Sequence, residues 1–315
     1  MRISRTLALG AATLALVLSA CAPGGGDASQ ADGSQAAASE ATGERSIVIG
    51  SAGFYEAQLM AEIYAQALEA NGYTVERNLA IGPRDTTQPA IESGQIDLMP
   101  EYIGSLLTFL GGSASGEPDE TFSSLQTALE EVGLTALDYA PAQDQNAFAV
   151  RSETAEDLGL VTMSDLAEVA ADLVWGLPPE CETNELCSGA LEDAYGITYA
   201  DLQIEEYAAC DAPVAQALND GVVDVAELCS TQPDIERFNF VVLEDDKQTQ
   251  PSENIAPIVR TEWLDGAPDD FTEILNAVSA AMDTETLTSL GVEVAVDQLP
   301  IADVADQWLT DNGLK

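Results

Sequence analysis

The chain has no histidine, and only 10 lysines and arginines stand against 55 aspartates and glutamates in 315 residues. Without histidine it lacks the commonest general base, the usual activator of a serine or cysteine nucleophile and the commonest zinc ligand. It also lacks a GxSxG nucleophile elbow and closely paired CxxC units. Paired acids such as Asp97 and Glu101 could do acid–base work, but among 55 acids such pairs arise by chance. We therefore expect no enzyme, no metal and no cofactor. The scarcity of basic residues leaves a formal net charge of −45. A field of that sign repels nucleic acid and anionic lipid, so neither is an expected partner. The acids are spread along the whole chain, which fits solubility in high salt better than a local cation-attracting patch near a membrane. No apolar run reaches the roughly 20 residues of a membrane span.

What the N-terminus does contain is an export signal. Two arginines, an apolar run from Leu7 to Val17 and the stretch "LSAC" make residues 1–21 a secretory signal peptide. Cys21 falls at the cleavage point and resembles the lipidated cysteine of a bacterial lipobox, which anchors a chain to a membrane without crossing it. Residues 22–45 are Gly, Ala, Ser and acids with no aromatic, and read as a flexible tether. Export implies an oxidising compartment, so the remaining four cysteines, Cys181, Cys187, Cys210 and Cys229, are expected in two disulfides. Cys181 with Cys187 and Cys210 with Cys229 is the simplest arrangement; three pairings are possible.

From Ser46 onward strands and helices alternate. "SIVIGSAGF" is a buried strand running into a Gly-containing loop. "YEAQLMAEIYAQALEANG" carries Leu59, Met60, Ile63, Tyr64, Ala67 and Leu68 at helical spacing and stops at Asn71-Gly72. The alternation continues past residue 200 and predicts an α/β fold with parallel sheets, its sites at strand ends. The loops there are "GSAGFYE", "MPEYIGS", "QDQNAF", "LPPECETNELC" and "CSTQPD".

At these loops the sequence resembles the substrate-binding lipoproteins of ABC importers for glycine betaine, choline and carnitine. The stretches "IVIGSAGFYEAQLMAEIYAQALEANGYTVERNLAIG", "IESGQIDLMPEYIGSLLTFLGG" and "DLVWGLPPE" carry the likeness, with "ENIAPIVR" and "VADQWLTDNGL" near the end. The resemblance implies a two-lobed, type II periplasmic-binding-protein fold, each lobe a mostly parallel sheet flanked by helices. Lobe 1 would be 46–148, lobe 2 149–249, and 250–315 would return to lobe 1. It implies an extracytoplasmic, lipid-anchored protein with two partners: an ABC permease and a quaternary ammonium ligand held against aromatic faces. By resemblance Tyr102 is a wall of the aromatic cage, with Phe148 and Tyr55 as further walls. Ser51, Glu101, Asn146, Thr183, Asn184 and Thr231 are the polar candidates.

Several positions depart from the family pattern. Ala52 and Gly53 stand where many members have a lysine or asparagine pair, and Asn184 where many have the arginine that clamps a ligand carboxylate. Cys229 and Gln232 replace an aromatic and an aspartate, and "YAACDAPV" (207–214) replaces a glycine-rich stretch. Arg84 is the one arginine expected to be able to swing in as a substitute clamp. Alternatives are a binding protein for another small polar solute, or a sensor or scaffold that has lost transport.

Overall fold

The structure is a computed structural model that describes residues 45–208 and 210–315. The expected signal peptide, Cys21 and all of the tether but Arg45 lie outside the described residues. The described residues belong to one compact unit, and no helix among them is long and apolar enough to cross a membrane.

Two five-stranded sheets form the framework. The first contains β1 (Ser46–Ala52), β2 (Thr74–Gly82), β3 (Leu98–Tyr102), β4 (Leu134–Ala136) and, from far along the chain, Ile255–Arg260, in the order β2-β1-β3-(Ile255–Arg260)-β4. The second contains β5 (Asn146–Arg151), β6 (Val174–Leu177), β7 (Gln203–Glu206), β8 (Val225–Cys229) and β9 (Phe240–Val242), in the order β7-β6-β8-β5-β9; Ile255–Arg260 is then β10. This is the expected two-lobed α/β architecture. Both sheets are mixed, with β2-β1-β3 and β7-β6-β8 parallel and the junctions on either side of β10 and β5 antiparallel. The sheets are therefore less parallel than expected. The antiparallel junctions surround the strands that come directly from a passage between the sheets. The strand Asn146–Arg151 straddles the expected limit at 148/149 and lies whole in the second sheet.

The hydrophobic pattern explains the packing of α1 (Tyr55–Ala70). Leu59, Met60, Ile63, Tyr64, Ala67 and Leu68 are all fully buried. Ala61 and Ala65 are buried too, because the helix is packed between the sheet and the C-terminal helices Asp270–Ala281 and Ile301–Asp311. Gly72 ends the helix at φ +84°, a conformation that suits glycine. In the second lobe Trp175 is fully buried, and Phe148 packs edge-on against it at 5.8 Å.

The chain crosses between the sheets twice, through 137–145 and back through 243–254. The two crossings are bonded to each other: Gln145 Nε2 donates to the Pro251 carbonyl at 2.7 Å, and Asn254 Nδ2 to the Ala140 carbonyl at 2.9 Å. Both expected disulfides are present, Cys181–Cys187 and Cys210–Cys229, with Cα atoms 5.1 and 4.9 Å apart. Glu227 lies beside the first pair, but sulfurs joined to each other are not thiolate ligands.

The glycine of "PEYIG" has a packing reason. Gly104 lies in the first turn of the helix Ile103–Phe109, against the returning crossing, and a Cβ there would lie 2.5 Å from the Ser252 carbonyl oxygen. That backbone is pinned, since the Ser252 N–H donates to the Ser115 carbonyl and its Oγ to the Gly116 carbonyl, both at 2.8 Å. Gly104→Ala is expected to cost about 1–3 kcal/mol as overpacking, measured as a lower urea midpoint at unchanged slope.

Candidate functional site

A cavity of about 600 Å³ opens between the sheets at the carboxyl ends of β1, β3 and β8. That is where ligand sites of such sheets form. The first lobe contributes Phe54, Tyr55 and Glu56 from the start of α1, and Tyr102 from the end of β3. The crossing contributes Asp144. The second lobe contributes Thr231, Gln232, Asp234 and Arg237 beside the Cys210–Cys229 disulfide, and Ala295 and Val296 close one side.

Aromatic and acidic groups dominate the first-lobe wall. The Phe54 and Tyr102 rings stack 6.1 Å apart at 24°, and Phe54 is 47% exposed at the cleft mouth. The Tyr102 hydroxyl donates to Oε1 of Glu56 in a short hydrogen bond. Glu56 is only 3% exposed. Burial first, and then the nearby Asp144, push its carboxyl up to about 8, although hydrogen bonds from Tyr102 and Thr231 oppose the rise. Asp144 is also raised by burial, against hydrogen bonds from Thr231 and Ser230; the Thr231 N–H donates to its Oδ1 at 3.2 Å. Burial and then the charge of Glu56 hold the Tyr102 phenol well above its ordinary value, so it keeps the proton that it donates. The one arginine in the lining, Arg237, is paired with Asp234 at 3.3 Å and lies over the Phe238 ring at 4.7 Å. A wall of π-faces backed by carboxylates suits a cation with apolar methyl groups.

The structure brings together only some of the residues singled out from sequence. Tyr102, Tyr55 and Thr231 line the cavity. Phe148 does not: it is 6% exposed in the second-lobe core and lines a separate cavity of about 200 Å³. Ser51 is buried beneath the cleft, where its Oγ accepts from the Ala80 N–H and donates to the Ala52 carbonyl, both at 3.0 Å. Glu101 accepts Arg84 through both oxygens, at 3.0 and 2.7 Å. The same pair corrects the expectation for Arg84, which is engaged rather than free to clamp a ligand. Asn146 borders the 200 Å³ cavity and a polar one of about 280 Å³ that shares Tyr102 and Asp144 with the main cleft. Asn184 caps its own loop by accepting the Leu186 N–H at 2.9 Å, and Thr183 is exposed on that loop; neither lines the cleft. Asp97 pairs with Arg260 at 2.7 Å and so forms no acid–base couple with Glu101.

Phe54, Glu56, Asp144, Asp234 and Arg237 were not foreseen, and Gln232 was noted only as a departure. Phe54 and Glu56 flank Tyr55 in the loop already singled out, but an acid in a first helical turn ordinarily reads as complementing the helix dipole. A carboxyl that titrates near 8 in the folded chain, against 4.5 ordinarily, keeps a proton that the unfolded chain gives up. Its contribution thus becomes unfavourable as pH rises from about 4.5 to about 8, and levels off above. Glu56→Gln removes this load, so the variant's Tm is expected to exceed that of the wild type by a margin that widens between pH 5 and 8, measured by thermal unfolding without ligand.

Comparison with known proteins points the same way. The family described as the substrate binding domain of ABC-type glycine betaine transport systems matches residues 45–311. The glycine-betaine-binding protein of Pseudomonas aeruginosa is 28% identical over 276 residues, covering 84% of this chain and 88% of that protein. Among solved structures, apo YehZ from Escherichia coli superposes with a TM-score of 0.76 at 26% identity, over 85% of this chain and 99% of that one. A glycine betaine/carnitine/choline ABC transporter structure gives 0.79 at 22% identity over 85% and 99%, which shows the fold alone. The chain belongs to the family of ABC-importer substrate-binding domains of the glycine betaine type.

Proposed function

We propose that this protein is a lipid-anchored, extracytoplasmic binding protein that captures a small quaternary ammonium compound in the cleft and delivers it to the permease of an ABC importer. The observation that carries the ligand class is the pairing of stacked aromatic rings, Phe54 and Tyr102, with the buried carboxylate of Glu56 in one cavity between the lobes. A permanent cation is attracted by ring faces and by carboxylates alike, and its methyl groups gain from leaving water. Relatives are named for glycine betaine and for carnitine, which supports the class without choosing a member.

The two bonded crossings, 137–145 and 243–254, are the natural hinge: they alone join the sheets along the chain, so a few dihedral changes there move one lobe over the other. The closed form is the state that the permease would read. Anchoring through Cys21 and the tether would keep the protein beside the membrane despite a charge that repels anionic lipid.

Calorimetric titration with glycine betaine, choline and carnitine tests the ligand class, and heat with none of them rejects it. Tyr102→Ala is expected to weaken binding by about 2 kcal/mol, roughly thirtyfold in Kd, through loss of a desolvated ring face. For the anchor, Cys21→Ser is expected to move the protein from the membrane fraction to the soluble fraction. Retention in the membrane fraction would reject lipidation at that residue.

A further inference from the structure

The acids of the cleft outnumber its bases. Glu56, Asp144 and Asp234 line the cavity against one arginine, and that arginine is already paired with Asp234. Glu56 takes its hydrogen bond from a neutral phenol, and Asp144 from the Thr231 backbone. A second observation is independent of these charges. Gln232, in the same lining and 6% exposed, directs its Nε2 at Asp234 Oδ2, 3.1 Å away, which fixes the amide orientation. Its Oε1 is then a buried acceptor with no donor, an arrangement that folded proteins avoid unless something else fills it. A ligand carboxylate has no proton to give this oxygen and would lie among carboxylates. A hydroxyl has one.

Building on the quaternary ammonium class proposed above, we propose that Glu56, Asp144 and Gln232 are specificity-determining residues. The two carboxylates select a ligand of net positive charge over a zwitterion of similar size, and Gln232 accepts a hydrogen bond from that ligand's hydroxyl. The chemistry fits a trimethylammonium alcohol.

Proton exchange follows from the same geometry. The groups facing the pair are Tyr55 on α1, Tyr102 on β3 with the Glu101–Arg84 pair behind it, Asp234 with Arg237 in the second lobe, and Glu253 on the returning crossing. Burial and then the charge of Asp144 push the Glu56 carboxyl up to about 8, so in the empty cleft that group holds a proton near neutral pH. A permanent cation favours the ionised form, so its arrival releases the proton to solvent. The ligand has no titrating group, and the proton comes from the protein.

The test is calorimetry on the full chain with choline, glycine betaine and tetramethylammonium, at pH 6, 7 and 8 and in buffers of different ionisation enthalpy. Choline is expected to bind at least about tenfold more tightly than glycine betaine, since like charges face each other in the betaine complex. Its affinity is expected to rise by up to about tenfold per pH unit up to pH 8, with proton release at pH 7. Glu56→Gln should flatten the pH profile and narrow the choline–betaine gap, and Gln232→Met should narrow the gap between choline and tetramethylammonium. Asp144→Asn provides a second charge variant should Glu56→Gln fail to fold. Betaine binding as tightly as choline, or choline binding without proton release, would overturn the inference and leave the quaternary ammonium class standing. No binding of any of the three to folded protein would overturn both.

Discussion

A phenol hydroxyl bonded to a buried carboxylate organises the cleft. The Tyr102–Glu56 contact joins the end of β3 to the start of α1, and it orients the ring that stacks on Phe54. Without that donor, Glu56 would be a buried charge lacking a key partner, a costly state. With it, the carboxyl group stays close to the ring and, once a bound cation has drawn off its proton, adds its charge to the quadrupole of the π-face. The binding surface is thus one unit of ring and acid, built where two neighbouring strands end.

The shortage of basic residues gives that unit its chemistry. The described arginines and lysines are nearly all committed to ion pairs, three of them between segments far apart in sequence. Arg77 holds Glu62 and Glu69, Arg84 holds Glu101, Arg151 holds Asp224, and Arg260 holds Asp97 and Glu262. Arg151 also donates to the carbonyls of Leu218 and Val223. With its cations committed in this way, the chain offers Glu56 and Asp144 in the cleft only hydroxyls and backbone N–H groups. The positive charge those acids lack has to come from solution.

Much of the fold was legible in the sequence because it depends on period. The six apolar positions read on α1 are all fully buried; the strand–helix alternation carried the α/β class, and the family resemblance the division into two lobes. Strand direction was not legible, since β5 and β10 look locally like their neighbours and only the passage between sheets reverses them. In the site, the loops were legible and the individual side chains often were not. "QNAFAV" is apolar at both parities, so nothing local says which face of β5 carries Phe148; the structure turns it toward Trp175. Asn184 matched an expected arginine position, yet a short amide in a tight loop readily caps that loop instead. Gln232 and Asp144 acquire meaning only from neighbours distant in sequence, which no local pattern records.

The Cys210–Cys229 bridge is part of the cavity wall itself, between the loop after β7 and the end of β8. Such a surface cannot be altered one codon at a time without consequence. Removing either sulfur leaves the other as a lone thiol bordering the cavity, open to oxidants in an extracytoplasmic compartment. The two sulfurs are therefore replaced together or leave a thiol behind, whereas Thr231, Gln232 and Asp234 beside the bridge can be exchanged one at a time.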